Sequence, residues 1–306
     1  MDTKLSDKYI AGFLDSDGSI QMMWRKVDRA DTNKELRRAY LSIEFSQCKD
    51  QDLVLHLIQQ AIGGAIADDR GYTSLKIWGP KAQMALSRIK KHLVIKRHYA
   101  EVCLEMHGNV FNKREAAKRL KEERRIKSLP LPNFPSRKWL AGYIDGDGCL
   151  HGRLRKDAFI TQVVCEICAS DYDSEGLEII HKNFGGSLLA VRNRPQIMKY
   201  TLAMPPSKAK QFLGYFSQHL VTKKDQAEFI LSCAEMNNYR DGKKIAAIIK
   251  QLKAHPHRLN DPETDVKALV DQIDFSIPLI HGPGSRERRR LSDSRIACKC
   301  AKEQRL

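Results

Sequence analysis

Residues 9–20 read YIAGFLDSDGSI, and the phrase returns as WLAGYIDGDGCL at 139–150. In each copy two aspartates stand one residue apart ahead of a glycine, as they do in the middle of an EF-hand calcium loop. Such a loop also needs oxygen ligands at its first and twelfth positions. Aligned on Asp15 and Asp17, those positions fall on Phe13 and Trp24, and in the second copy on Tyr143 and Leu154. The calcium loop therefore fails twice. A helix end fits better. Gly12 and Ser16, and likewise Gly142 and Gly146, are small residues four apart, which puts each pair on one helical face. Small residues on a shared face let two helix backbones approach closely. Ile10, Phe13 and Leu14, with Leu140, Tyr143 and Ile144, are left to enter each copy's own core. Two such helices packed side by side would bring Asp17 and Asp147 together at their C-terminal ends. Carboxylates crowded there repel one another and the negative helix ends. A divalent cation with oxygen ligands, Mg²⁺ foremost, resolves that conflict.

The self-similarity extends well beyond the dodecapeptide. LSIEFSQCKDQDLVLHLIQQAIGG (41–64) aligns without gaps to VVCEICASDYDSEGLEIIHKNFGG (163–186), and HLVIKRHYAEVCLEM (92–106) to HLVTKKDQAEFILSCAEM (219–236) through Lys96/Lys223 and Ala100/Ala227. The order is the same in both copies, so one unit is written twice. Residues 1–111 and 138–239 are the expected repeats. A basic, proline-containing linker (112–137) joins them, and a helical extension with a basic tail (240–306) follows. Within a repeat, periodicity predicts a short helix, a hairpin, a helix stopped by a glycine pair, a second hairpin and a helical close. The expected class is α+β: two pseudo-symmetric αββαββα repeats, with the two motif helices packed at their interface. The first hairpin is eight residues longer in copy one, where Asp17 to Leu41 is 24 residues against 16 for Asp147 to Val163. Equal cores with unequal hairpins suggest that the two copies read a ligand differently.

Charge narrows the ligand. Fifty-three Lys and Arg against 37 Asp and Glu give a net charge of +16. Such a field attracts polyanions and gains from counterion release, which makes nucleic acid the leading partner class. Two runs exceed the background, KREAAKRLKEERRIK (113–127) and RERRRLSDSRIACKCAKEQRL (286–306). The first reads as a solvated helix or linker, the second as a flexible arm. No apolar run approaches the ~18 residues of a membrane span, and the N-terminus has no apolar signal region. The eight cysteines are scattered through regular elements, as reduced thiols of an intracellular protein would be. Cytoplasm and organelle remain open. Cys165-x-x-Cys168 is half of a zinc pattern, but no second pair stands near it, and Cys298 and Cys300 lie in the basic tail; no zinc is expected.

IAGFLDSDG (10–18) and LAGYIDGDG (140–148) resemble the two signature motifs of the LAGLIDADG homing endonucleases in their single-chain form, and the resemblance covers about residues 5–240. It implies a saddle of antiparallel strands along the DNA major groove, and Mg²⁺-dependent cutting of both strands with short 3′ overhangs. It also implies two or three divalent ions shared between the acids. By the same resemblance Asp17 and Asp147 are the metal-binding acids, while Asp15 and Asp145 are more structural than catalytic. Lys96 and Lys223 match lysines that polarise the scissile phosphate or the water network. Gln47 and Lys49 are candidates for a water-ordering polar residue, whose place is taken in copy two by Ala169 and Asp171. The part played by the backbone at position 16 is left open.

Base contacts are expected from the hairpins: Gln21, Trp24, Arg25, Lys26, Arg29, Lys34, Arg37 and Arg38 in copy one, then Arg153, Arg155, Lys156, Arg192, Arg194 and Lys199 in copy two. Alternate residues of a strand face one side, so about half of these can reach a base. The leading reading is a monomeric, site-specific endonuclease of double-stranded DNA. The alternative partner is intron RNA, for a maturase with or without cleavage. A catalytically silent DNA-binding regulator is disfavoured, because a pure binder has no use for crowded acids.

Overall fold

The structure, a computed structural model, describes residues 5–27, 36–69, 71–126, 134–154, 161–169, 174–194, 197–204, 206–235, 242–254 and 265–272. The chain opens with helix α1 (Asp7–Asp15), whose first turn is capped by the Ser6 hydroxyl accepting from the Tyr9 amide. Strands β1 (Gly18–Lys26) and β2 (Leu36–Cys48) form the first hairpin. Helix α2 (Leu53–Ile62) follows and ends on Gly63, whose φ of 78° a side chain would strain. Strands β3 (Ala65–Asp69) and β4 (Tyr72–Trp78) make the second hairpin, and helices α3 (Pro80–Ile89) and α4 (Arg97–Met106) close the unit. The sheet order is β1-β2-β4-β3, and the short β5 (Val110–Asn112) pairs with the outer end of β2.

After helix α5 (Lys113–Glu123), the second repeat runs through α6 (Arg137–Asp147), β6 (Gly148–Leu154), β7 (Thr161–Ala169) and α7 (Glu175–Phe184). It continues with β8 (Ser187–Arg194), β9 (Ile197–Ala203), α8 (Pro206–Phe216) and α9 (Lys224–Glu235). Its sheet order, β6-β7-β9-β8, repeats the first. The correspondence is residue by residue. Ser136 caps α6 as Ser6 caps α1, and Gly185 ends α7 at φ 72° as Gly63 ends α2. Gly18 pairs with Phe45 and Gly148 with Ile167, the same ladder step under the alignment of the two copies.

The first sheet is amphipathic because its strands alternate. Ile20, Leu41, Ile43, Phe45, Leu75 and Ile77 are buried beneath the helices. The residues between them, Ser19, Gln21, Ser42, Glu44, Ser46 and Lys76, stand on the opposite, open face. Burying one such aliphatic or aromatic side chain contributes roughly 1.5–3 kcal/mol, so the register is fixed by the core. A one-residue slip of β2 would turn its five buried side chains outward and its polar ones inward. The two sheets flank the packed pair α1 and α6, the expected α+β saddle.

Both joints carry helices as read, but these helices are packed rather than solvated. Residues 113–123 of the basic run are a helix whose Ala116 and Leu120, four apart, are buried and anchor it beside α4. Asn112 caps it by accepting from the amides of Arg114 and Glu115. Likewise α10 (Gly242–Ala254) buries Ile245, Ile248, Ile249 and Leu252 against β6, β7 and α9, and the short α11 (Val266–Asp271) lies on α9. Each repeat thus carries one more helix than self-similarity reveals. These two share a place in the order but little sequence. Residues 127–133 of the linker, and the tail from 273 onward, lie outside the described residues.

Candidate active site at the helix pair

The motif helices meet backbone to backbone. A methyl group on Gly12 would lie 1.9 Å from the Trp139 carbonyl oxygen, and one on Gly142 would lie 2.1 Å from that of Tyr9. One on Gly146 would meet the Ser16 hydroxyl at 2.0 Å. All four small residues expected at the interface, Gly12, Ser16, Gly142 and Gly146, are there. With Cβ absent, main chain rests on main chain.

The first aspartate of each motif is buried and reaches across the interface. Asp15 accepts from the indole Nε1 of Trp139 at 2.8 Å, and Asp145 from the Tyr9 hydroxyl at 2.5 Å. Trp139 and Tyr9 head the two motifs, so each helix supplies the donor for the other's carboxylate. The same aspartates also accept two amides from the turn before the last helix of their own repeat. Asp15 takes Val94 (2.7 Å) and Lys96 (2.8 Å), and Asp145 takes Val221 (2.7 Å) and Lys223 (3.0 Å). Burial pushes both carboxyls above the usual range against these donors. Each of these carboxylates is thus held by three protein donors.

That turn delivers the two lysines to the helix ends. The Lys96 ammonium donates to the carbonyls of Leu14 (2.7 Å), Gly18 (2.8 Å) and Ser16 (3.2 Å). Lys223, which is buried, donates to the carbonyls of Asp145 and Gly146. A helix C-terminus leaves carbonyls unpaired and carries partial negative charge, and a lysine there satisfies both. Neither is the ordinary surface lysine that its composition alone would suggest. Three carbonyls engage the three N–H groups of Lys96, so in this structure it holds the end of α1 and its charge stays beside the aspartates.

The second aspartates lie where the helices open outward. Asp17 and Asp147 line one cavity of about 520 Å³ with Ser16, Gly18, Ser19, Glu44 and Ser46. The surface of Asp17 is open to solvent, yet helix ends and strand crowd it. Desolvation raises its carboxyl, opposed by the charge of Lys223, then that of Lys96, then a hydrogen bond from the Gln47 amide at 2.7 Å. Lys223 of one repeat therefore stabilises the acid of the other. Of the two candidates after β2, the structure brings Gln47 to the site and not Lys49, which instead pairs with Asp68 at 3.1 Å. In the second repeat the matching ladder position is Ala169, a residue with no donor to offer. The lining is all oxygen donors, which suits a hard cation. Among the described residues no three His, Cys, Asp or Glu side chains are placed to hold a metal ion by themselves. A cation here would take one or two carboxylates and complete its shell with water and a substrate's oxygens, the habit of Mg²⁺.

Strand parity sorts the candidate base contacts. Gln21, Arg25 and Arg38 lie on the open face, where the Arg25 guanidinium stacks over Tyr40 at 5.0 Å. Trp24 does not; it packs against the core from the helix side, and Lys26 and Arg37 share its parity. Arg153 lies in β6, Arg192 and Arg194 in β8 across a register shift, and Lys199 in β9. Arg29, Lys34, Arg155 and Lys156 fall outside the described residues. Composition overlooked Tyr40, Ser42, Glu44, Lys76 and Trp78, which share the open face. The alternation of β2 and β4, read outward from Leu41, Ile43 and Ile77, was the signal for them. Tyr9 and Trp139 carried no comparable signal, because an aromatic residue heading an amphipathic helix is ordinary core.

These features define a class: a single chain of two linked α+β repeats with a shared acidic site at a glycine-packed helix pair. Residues 140–235 match the family model described as LAGLIDADG endonuclease. That match covers the second repeat, and the first repeat carries the same motif at residues 10–18. No curated protein matches the chain. Among solved structures it resembles the LAGLIDADG homing endonuclease I-GzeII in complex with its DNA target. That match has a TM-score of 0.59 at 14% identity and covers 82% of this chain and 99% of that one. It also resembles I-SmaMI bound to an uncleaved DNA target in the presence of calcium ions (TM-score 0.58, 18% identity, 82% and 98% covered). A third is the meganuclease I-AabMI bound to uncleaved DNA (TM-score 0.56, 16% identity, 83% and 100% covered). At these identities the likeness speaks for the fold.

Proposed function

We propose that this chain is a monomeric, site-specific DNA endonuclease that cuts both strands of a long, asymmetric target in a Mg²⁺-dependent reaction and leaves short 3′ overhangs. One observation carries the reading: Asp17 and Asp147, matched residues of two repeats, share one cavity at the ends of helices packed in main-chain contact. The open face of the first sheet and the net charge of +16 suit a duplex. The three solved structures described above were determined with DNA.

In this reading Asp17 and Asp147 would hold the divalent ions, which when bound would supply an activated water and neutralise charge on the phosphate. Gln47 fixes the Asp17 carboxylate in one orientation. Lys96 and Lys223 lock the helix ends that present the acids and set a positive field where negative charge develops. Asp15 and Asp145 hold the lysine-bearing turns. The arginines and polar residues of the open face fix register on the duplex and read its bases.

The test is a cleavage selection on a randomised duplex library with Mg²⁺, using Asp17→Asn and Asp147→Asn as controls. Wild type should return one long target, and each variant should lose double-strand cutting while keeping DNA binding in EDTA. Double-strand cutting by either variant would refute the site assignment. Tight binding of structured intron RNA with no cleavage of any duplex would replace the nuclease with the maturase.

A further inference from the structure

A carboxylate on a surface meant for phosphates needs a reason, since it repels the backbone it faces. Glu44 is such a residue. It lies on the open face of β2, lines the cavity beside Asp17, and is paired in register with Lys76 of β4. Their charged ends are 3.2 Å apart with both side chains partly exposed, at 29% and 48%. An exposed cross-strand ion pair adds little to stability, so folding does not account for it. What the pair presents outward is an acceptor beside a donor.

That is the complement of one edge of a base pair. In the major groove cytosine offers its N4 amino donor next to guanine's O6 and N7 acceptors. A·T also sets a donor (N6) beside an acceptor (O4), but its flanking groups are wrong for this pair. Adenine N7 would turn a lone pair toward the carboxylate, and the thymine methyl would take the place where guanine N7 receives the lysine. The reversed pair, G·C, would set O6 against the carboxylate. We propose that Glu44 and Lys76 together read one C·G base pair, in one orientation, in the half-site bound by the first repeat. The proposal rests on the DNA-endonuclease reading above. The second repeat has Glu166 at the matching ladder position, opposite Ala203 rather than a lysine. It keeps the acceptor residue and lacks the lysine, so its half-site should discriminate less at the symmetric base pair.

The experiment is an affinity selection of the full chain on a randomised duplex library in EDTA, which separates base reading from cleavage. Wild type is compared with Glu44→Gln and Lys76→Met, and thermal melts confirm that both variants fold. Wild type should enrich C·G at one position of one half-site. Glu44→Gln should weaken C·G at that position alone and admit A·T there, since glutamine is suited to adenine N6 and N7 while the thymine methyl still disfavours Lys76. Lys76→Met should relax the preference there by roughly tenfold. An unchanged motif in Glu44→Gln, or an even loss at every position, overturns the proposal. So does a change in the Mg²⁺ dependence of cleavage with the base motif intact, which would assign Glu44 to the metal site. A wild-type chain that enriches no motif at all sinks the DNA reading itself, and the base assignment with it.

Discussion

The indole of Trp139 donates to the carboxylate of Asp15 at 2.8 Å across the boundary between the repeats, and the Tyr9 hydroxyl returns the contact to Asp145. Both acceptors are buried. Trp139→Phe and Tyr9→Phe keep the ring and remove the donor, leaving a buried carboxylate one partner short. Each should cost about 1–3 kcal/mol of unfolding free energy, measured by urea denaturation. The double variant should cost nearly the sum, because the two bonds serve different acceptors. A loss under about 0.3 kcal/mol for both single variants would show that the crossed bonds contribute nothing.

The glycine contacts are less forgiving. Gly12→Ala and Gly142→Ala each set a methyl group against a main-chain carbonyl of the partner helix, where no side chain can rotate away. The helices must separate, which uncovers the shared core. A loss of more than about 3 kcal/mol, or failure to fold, is expected. Gly63→Ala serves as the contrast: it strains the backbone but meets no neighbouring atom, so its cost should be smaller.

The two acids are not equally supported. Gln47 donates to Asp17, whereas the residue that matches Gln47 in the second repeat is Ala169. Gln47→Ala should slow cutting of one strand by about 10–100-fold, the usual cost of losing a partner that orients a metal ligand. Ala169→Gln should speed the other strand. Strand-specific end labels on a selected target measure both rates. Equal slowing of the two strands by Gln47→Ala would show that the amide serves the whole site rather than one half.

His107 gives a pH signature. Its Nδ1 accepts the Leu41 amide at 3.0 Å, which requires a neutral ring, and burial pushes its pKa below the ordinary 6.5. His92 and His219, matched residues of the two repeats, are pushed the same way by burial. A depressed histidine stabilises the fold fully above its unfolded pKa and loses that contribution as pH falls. Unfolding free energy should therefore decline as pH drops through 6.5. His107→Gln keeps an acceptor for Leu41 but does not titrate, so its curve should be shallower over the same window. Superimposable wild-type and variant curves would count against this role.

The architecture could be read from the chain because its two copies check one another. One DSDG is ambiguous; two, each followed by an alternating hairpin and a helix stopped by a glycine pair, leave one arrangement. The interface glycines and both second aspartates follow from spacing of four and a shared helix end. Contacts between residues distant in sequence were not legible. Nothing in HLVIKR says that Lys96 turns back onto the end of α1, since a lysine's reach is set by the fold around it. Gln47 and Lys49 are equally polar on paper, and the strand register separates them. That the helix at 113–123 packs rather than lying solvated escaped because Ala116 and Leu120 are a thin apolar signal within a run of charge.

The crossed bonds also bear on how such a chain changes over generations. Tyr9 and Asp145 are 136 residues apart, Asp15 and Trp139 are 124 apart, and neither member of a pair has its full set of contacts without the other. Drift in one copy is thereby tethered to the other at these positions, while the open strands beside them stay free to diverge. A chain of this design can acquire a new target one face at a time and still inherit its centre whole.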